Sequence, residues 1–427
     1  MKQRVVVTGM GLVCGQAMSP QALFDRIKAQ QSSVRINPRL AAAGVPTAAC
    51  SFVDESVFAE LAGRYGNLAA RCGPPALLAM HAADQALAEA GLDLTSVARK
   101  GLFAAVNKQS LEAEDLLALA RHQHPQTGKV DLDLFMECEQ HNPLAYFHKR
   151  QDMAALLLAE KFAIDDVMMT PSDACAAGGI SVGAAYRHIA SGELDVALAG
   201  AAETMCSYAP VISFALLGAL APQSPDTDPA RLSRPFDKAR SGFVMGDGSA
   251  FLVLESEAHA LARGATILGY ISGFAKQTEA WRITSSPRDG ADYARCMQAA
   301  ISDAGLQLDD IDHINAHGTS TEQNDSCESL AIKKLFNGRV AALPVTSNKS
   351  AIGHSLAASG ALEAVLSILS LKHQMLLPTL NYEEPDEHTV GIEVVRSAEA
   401  ATIRHLISNS FGFGGENSTL VMSAART

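Results

Sequence analysis

Between Ser172 and Gly200 the chain reads SDACAAGGISVGAAYRHIASGELDVALAG, a single cysteine among small residues followed by a helical pattern and then an apolar run. Ile180, Val182, Ala184, Ala185 and Ile189 suit a helix of about four turns ending near Gly192, and DVALAGA suits a buried strand. Cys175 then stands at the start of a helix, where unpaired N–H groups and the positive end of the dipole favour a thiolate. The small residues after it let a substrate or another backbone come close. A buried structural cysteine fits the same stretch, because free cysteines are among the most buried residues.

Working outward, strand-like and helical runs alternate along the chain. RVVVTGMG precedes QALFDRIKAQ, SAFLVLES precedes AHALARG, HINAHG follows, VTSN precedes ALEAVLSILSLKHQ, and TLVMSA closes the chain. This is the pattern of an α/β protein whose sheets are covered on both faces. Two halves of similar grammar, residues 1–257 and 258–427, are expected to share one core. Residues 107–148, polar and rich in His and Gln, read as a cap or excursion, and Ala221–Pro235 as a long loop.

The 427 residues are 48% hydrophobic and 19% charged, enough for a large core. A net charge of −12 without a Lys/Arg cluster argues against a nucleic-acid surface. MKQRVVVTGMGLVCG lacks the apolar core of a secretory signal, and no run approaches the roughly 18 apolar residues of a membrane span, so a cytoplasmic protein is expected. Eight cysteines without a CxxC point to free thiols.

Candidate partners for Cys175 lie in the second half. His317 stands where the apolar HINA empties into Gly318, Thr319, Ser320 and Thr321. A strand end of this kind binds ligands in α/β proteins, and equally GTST makes a capped turn. His354 stands in NKSAIGH, five residues after Lys349 and ahead of an amphipathic stretch carrying Glu363, a combination that suits a charged pocket. NSFGFGG precedes a strand rather than a helix, which speaks against a phosphate cradle. GMGLVCG, Gly9 to Gly15, is not a GxGxxG. It reads as a turn exposing N–H groups that could serve as half of an oxyanion hole. His122, His124, Cys138 and His141 are loosely spaced like metal ligands but lack a tight frame, so a solvated loop is expected there.

DACAAGG, NAHGTST with Asp325 eight residues beyond its histidine, NKSAIGH and NSFGFGG, in that order, resemble the β-ketoacyl-acyl-carrier-protein synthase family, in particular its elongating branch. The resemblance covers nearly the whole chain. It implies a thiolase fold, five layers αβαβα with two five-stranded sheets in pseudo-related halves, usually a homodimer. It also implies acyl transfer from a carrier-protein thioester to a cysteine, then decarboxylative condensation with malonyl-carrier protein. By the resemblance Cys175 is the nucleophile, His317 and His354 are the active-site pair, Lys349 is their electrostatic aid, and Glu363 is its acidic partner. Phe413 supplies an oxyanion N–H and a gate. Thr319, Thr321 and Thr284 bind the phosphopantetheine arm, Phe214 and Phe411 line its route, and Asp325 is structural. No metal or bound cofactor is implied, because the substrates ride on the carrier's phosphopantetheine.

Three departures bear on specificity. Asn107, Lys108 and Gln109 replace the usual glycine-rich turn near the acyl pocket. Gly218 stands where a basic carrier-docking residue is expected, leaving Arg64, Arg71 or Arg150 to supply positive charge. Asp173 precedes Ala174-Cys175 in place of the usual threonine, and an acid there would raise the thiol pKa unless it is turned away or hydrogen-bonded. The expectation is a ketosynthase for fatty acids or, given these departures, a specialised polyketide-type chain. The alternatives are one subunit of a heterodimer with a chain-length-factor-like partner, and a non-decarboxylating acyltransferase. A thiolase would need a second cysteine near the C-terminus, and none follows Cys327.

Overall fold

The computed structural model describes residues 2–106, 120–131, 133 and 150–425. Asn107, Lys108, Gln109, Cys138 and His141 lie outside the described residues, as does most of the 107–148 stretch expected to form a cap or excursion. His122 and His124 are described, and His124 is exposed.

Eleven strands form the main sheet: β1 (Val5–Cys14), β2 (Lys100–Val106), β3 (Val167–Met169), β4 (Val196–Glu203), β5 (Gly248–Ser256), β6 (Gly269–Thr278), β7 (His313–Asn315), β8 (Pro344–Thr346), β9 (Glu393–Val394), β10 (His405–Gly412) and β11 (Glu416–Ala424). Outward from the middle, one half runs β1-β5-β4-β2-β3 and the other β6-β11-β10-β7-β8, with β9 added at the far edge. Strand directions match as well: each half has two antiparallel pairings nearest the middle, then parallel ones. The pseudo-repeat suspected from the sequence is thus a repeat of topology. The two five-stranded sets are not separate: Val5–Val7 pair with Ile271–Gly269 and join them edge to edge.

Six helices matter for the layers: α1 (Pro74–Ala90), α2 (Ala177–Ala190), α3 (Tyr208–Leu216), α4 (Ala291–Asp303), α5 (Glu322–Phe336) and α6 (Ser359–His373). α2 and α6 pack on each other and on strands of both halves, while α1 covers the outside of the first half and α4 the outside of the second. That order is the αβαβα layering. α6 is buried on all sides from Ser359 to Leu371, as a central layer requires. Its contact with α2 is built on glycines: a β-carbon on Gly178 would lie 2.5 Å from Ala357 O, and one on Gly360 2.5 Å from Gly179 N.

GMGLVCG is not an exposed turn. Gly9 to Cys14 lie inside β1, buried throughout, and β-carbons on Gly9 or Gly11 would strike the carbonyls of Ala86 or Ala82 on α1. These glycines bring a helix close to a central strand, so the oxyanion-hole reading falls. No helix among the described residues is long and apolar enough to cross a membrane.

Candidate active site

Cys175 sits in a short 3-10 turn, Ala174–Ala176, that runs into α2; the residue before it, Ala174, has φ +48°, a left-handed conformation unusual for a side-chain-bearing residue. His317 follows β7 in the loop to α5. His354 follows the one-turn helix Lys349–Ile352 that carries the lysine of NKSAIGH. The tertiary fold brings the three together: His354 Nε2 is 3.1 Å from Cys175 Sγ, the two imidazole rings are 5.4 Å apart, and one ligand-capable atom from each of the three residues falls within 4.8 Å of the others. All three line a cavity of about 420 Å³.

The electrostatics differ from the sequence expectation in one respect. Burial pushes the Cys175 thiol up to about 11, while Lys349 and the backbone N–H groups of Phe413 and of Cys175 itself act in the opposite direction. The helix-start environment is real but does not outweigh desolvation, so the resting group is a thiol. Burial, with the Lys349 charge adding to it, holds both His317 and His354 well below the usual imidazole range. Both rings are therefore neutral at neutral pH. Lys349 is itself buried and paired with buried Glu363, whose carboxyl burial raises to about 7. The cation next to two neutral rings makes this end of the cavity suited to a carboxylate or a developing oxyanion.

Asp173 does not face the thiol. It forms an ion pair with Lys276 of β6, which Glu416 also approaches at 3.5 Å.

Two acids three residues apart on α5 hold the His317 loop by its backbone. Asp325 accepts from the N–H groups of Thr319 (2.9 Å), Ser320 (3.1 Å) and Phe236 (2.8 Å). Glu328 accepts from those of His317 (2.9 Å) and Gly318 (2.8 Å), and from Asn409 Nδ2 (3.0 Å). Sequence reading named Asp325 and missed Glu328; its signal was the i, i+3 spacing of two acids on one face of the helix after GTST. Ser359, whose hydroxyl lies 2.9 Å from His354 Nδ1, was missed as well. A serine among alanines gives no sign of its contacts.

Thr284, Thr319, Thr321, Phe411 and Phe413 line the cavity, as does Gly218, beside which a side chain would meet only open space. Thr319 and Thr321 share a hydroxyl contact of 2.9 Å. Phe214 does not line the cavity. It stacks on Phe413 with ring centroids 6.4 Å apart and meets Phe243 edge-on at 5.5 Å. Arg64, Arg71 and Arg150 are each taken up by a neighbour, Glu60 with His81, Glu160 and Asp152 respectively, and none lines the cavity. Large apolar side chains are exposed at and next to the cavity, with Leu216 84% and Ile283 79% exposed and Leu217 and Trp281 beside them, alongside exposed Ser241, Thr284, Glu322 and Arg282.

A buried thiol at a helix start, two neutral imidazoles and a neighbouring cation suit chemistry that runs through a thioester on cysteine. Two family models match the chain, the β-ketoacyl synthase N-terminal domain over residues 2–260 and the β-ketoacyl synthase C-terminal domain over residues 268–383. The chain belongs to the β-ketoacyl synthase family, condensing enzymes of the thiolase fold. It is 33% identical over 430 residues to 3-oxoacyl-acyl-carrier-protein synthase 2 of Coxiella burnetii, covering 99% of each chain. Among solved structures it resembles the ketosynthase complex of a type II polyketide acyl-carrier protein "bound to the hexaketide" (TM-score 0.87, 30% identity, 100% of both chains). It also resembles the ishigamide ketosynthase/chain length factor (TM-score 0.85, 30% identity, 100% of both chains).

Proposed function

We propose that this β-ketoacyl synthase elongates a polyketide-type chain carried on an acyl carrier protein, with Cys175, His317 and His354 as the reacting set. The observation that carries the assignment is the 3.1 Å approach of His354 Nε2 to Cys175 Sγ, with His317 beside it, in a cavity also lined by Thr284, Thr319, Thr321, Phe411 and Phe413. In the first step the sulfur attacks the acyl thioester; the C–S bond to the carrier breaks, and the thiol proton leaves with the pantetheine thiol. The N–H groups of Cys175 and Phe413 hold the oxygen of the tetrahedral intermediate. In the second step malonyl thioester loses carbon dioxide, and the two imidazoles hold the enolate oxygen by their N–H groups. The enolate carbon attacks the acyl-cysteine, releasing the β-ketoacyl carrier. The departing Cys175 sulfur takes a proton from solvent water, which restores the resting thiol. No metal or bound cofactor is needed for this sequence of steps.

Thr319, Thr321 and Thr284 hydrogen-bond the pantetheine arm along the channel. Phe413, backed by Phe214, gates the acyl pocket, and Phe411 forms its wall. The carrier docks on the rim at the exposed Leu216, Leu217 and Ile283, with exposed Arg282 beside them, a reading supported by the pairing of Arg64, Arg71 and Arg150 elsewhere. Residues 1–257 and 258–427 act as the two halves of one catalytic unit, which works in the cytoplasm. The likeness to a ketosynthase/chain length factor supports a second arrangement, in which the active chain pairs with a ketosynthase-like subunit rather than with a copy of itself.

The test is intact-mass spectrometry of the purified chain with a panel of acyl-carrier proteins, followed by malonyl-carrier protein, with Cys175→Ala as control. A Cys175-dependent adduct and an extended β-keto product are expected. A folded chain that forms no adduct with any primer, alone or with a ketosynthase-like partner, refutes the assignment.

A further inference from the structure

Ser359, the first residue of α6, is buried behind His354. Its Oγ lies 2.9 Å from His354 Nδ1 and 3.1 Å from the backbone N of Ser355. The Ser355 N–H can only donate, so it takes one lone pair of that oxygen. The Ser359 proton then needs an acceptor, and among the described hydrogen bonds His354 Nδ1 is the one group that can take it. Were Nδ1 protonated instead, the serine oxygen would accept twice and leave its own proton buried without a partner. A neutral imidazole that accepts at Nδ1 carries its proton on Nε2, the nitrogen that faces Cys175 Sγ. His317 has no counterpart, since its Nδ1 is buried and without a hydrogen-bond partner.

We propose that Ser359 is a positioning residue that fixes the Nε2–H tautomer of His354, so that this ring meets the substrate as a hydrogen-bond donor. The inference rests on the reading of His354 as a donor to the enolate oxygen. A ring free to exchange tautomers presents a lone pair to that oxygen part of the time, which repels the charge it should hold. No proton is exchanged with solvent in this role. The serine proton stays shared with Nδ1 while Nε2–H turns from sulfur to substrate.

Two measurements test it. In the first, [15N]histidine spectra of the wild-type chain, assigned by subtraction against His354→Asn, should show His354 Nε2 as the protonated nitrogen and Nδ1 as the bare one. The reverse tautomer, or an averaged pair of signals, overturns the proposal whatever the activity. In the second, Ser359→Ala should slow condensation on the order of tenfold, less than the 10²–10³ that removal of a whole oxyanion donor costs. KM for the malonyl carrier and the rate of Cys175 acylation should stay within about twofold, because neither needs the fixed donor. Ser359→Thr, which keeps the hydroxyl, should restore the condensation rate. Full condensation activity in a folded Ser359→Ala protein overturns the proposal. If the wild-type chain acylates no primer, the functional reading fails, while the tautomer spectrum still decides the role of Ser359.

Discussion

The contact of α2 with α6 sets the distance between nucleophile and histidine, and Gly360→Ala tests this directly. A β-carbon at Gly360 would lie 2.5 Å from Gly179 N, 2.8 Å from Ser410 Oγ and 3.1 Å from Gly179 Cα. Ordinary contacts of a β-carbon begin near 3.4 Å, so the helices must part by about 0.9 Å at this point. The contacted atoms are mostly backbone, which cannot rotate away. Cys175 lies just ahead of α2 and His354 just ahead of α6, so the 3.1 Å sulfur–imidazole approach should open toward about 4 Å. A misplacement of about 1 Å at reacting groups costs on the order of 10²-fold in rate, and overpacking costs about 1–3 kcal/mol of stability. The assay is the condensation rate after separate measurement of Cys175 acylation, with the denaturant midpoint recorded in parallel. Gly63→Ala is the control, since Gly63 lies in a helix with nothing near its missing β-carbon, and alanine there should stabilise by up to about 1 kcal/mol. A Gly360→Ala protein with wild-type midpoint and a rate within about threefold of wild type would refute the argument.

Other outcomes follow from the same geometry. With the Cys175 thiol pushed up to about 11, alkylation by iodoacetamide should keep rising as pH increases from 7 to 10, and a plateau below pH 9 would contradict this. Asp173→Asn should leave that profile in place, because Asp173 is paired with Lys276. Both histidines are depressed below the ordinary 6.5, so condensation should show no imidazole titration near that value; their own contribution to stability falls as pH drops below 6.5, while Glu363 and Glu328, raised to about 7, contribute in the opposite direction. Glu328→Ala strands the N–H groups of His317 and Gly318, each at about 1–3 kcal/mol, and chemical denaturation should register a loss of at least about 2 kcal/mol. Replacing Leu217 and Ile283 by serine should raise KM for the carrier while leaving kcat intact, and an unchanged KM would move the docking site elsewhere.

The candidate trio was picked out before any fold was known because DACAAGG, NAHGTST and NKSAIGH, in that order, resemble one family; taken singly, each residue fitted a structural reading as well. The alternation of strands and helices carried the fold class, and the repeat suspected from grammar alone reappears in strand order. Misreadings arose where a residue's neighbours come from distant parts of the chain. Glycines in GMGLVCG look like a turn, and only the approach of α1 shows them to be packing positions. Arg64, Arg71 and Arg150 look like free charge until the folded chain brings up their partners. Asp173 looks like an obstacle to the nucleophile until β6 brings Lys276 beside it.

What the sequence alone determined, then, was composition and local pattern: the α/β class, and an ordered set of motifs whose family resemblance named Cys175, His317 and His354 as candidates. Protonation states, the pairing of Lys349 with Glu363, the two acids that hold the His317 loop and the serine behind His354 were decided by tertiary structure. The reason is physical. Local pattern is set by residues a few positions apart, whereas desolvation and hydrogen-bond partnership depend on which surfaces meet, and the contact of His354 with Cys175 joins residues 179 positions apart.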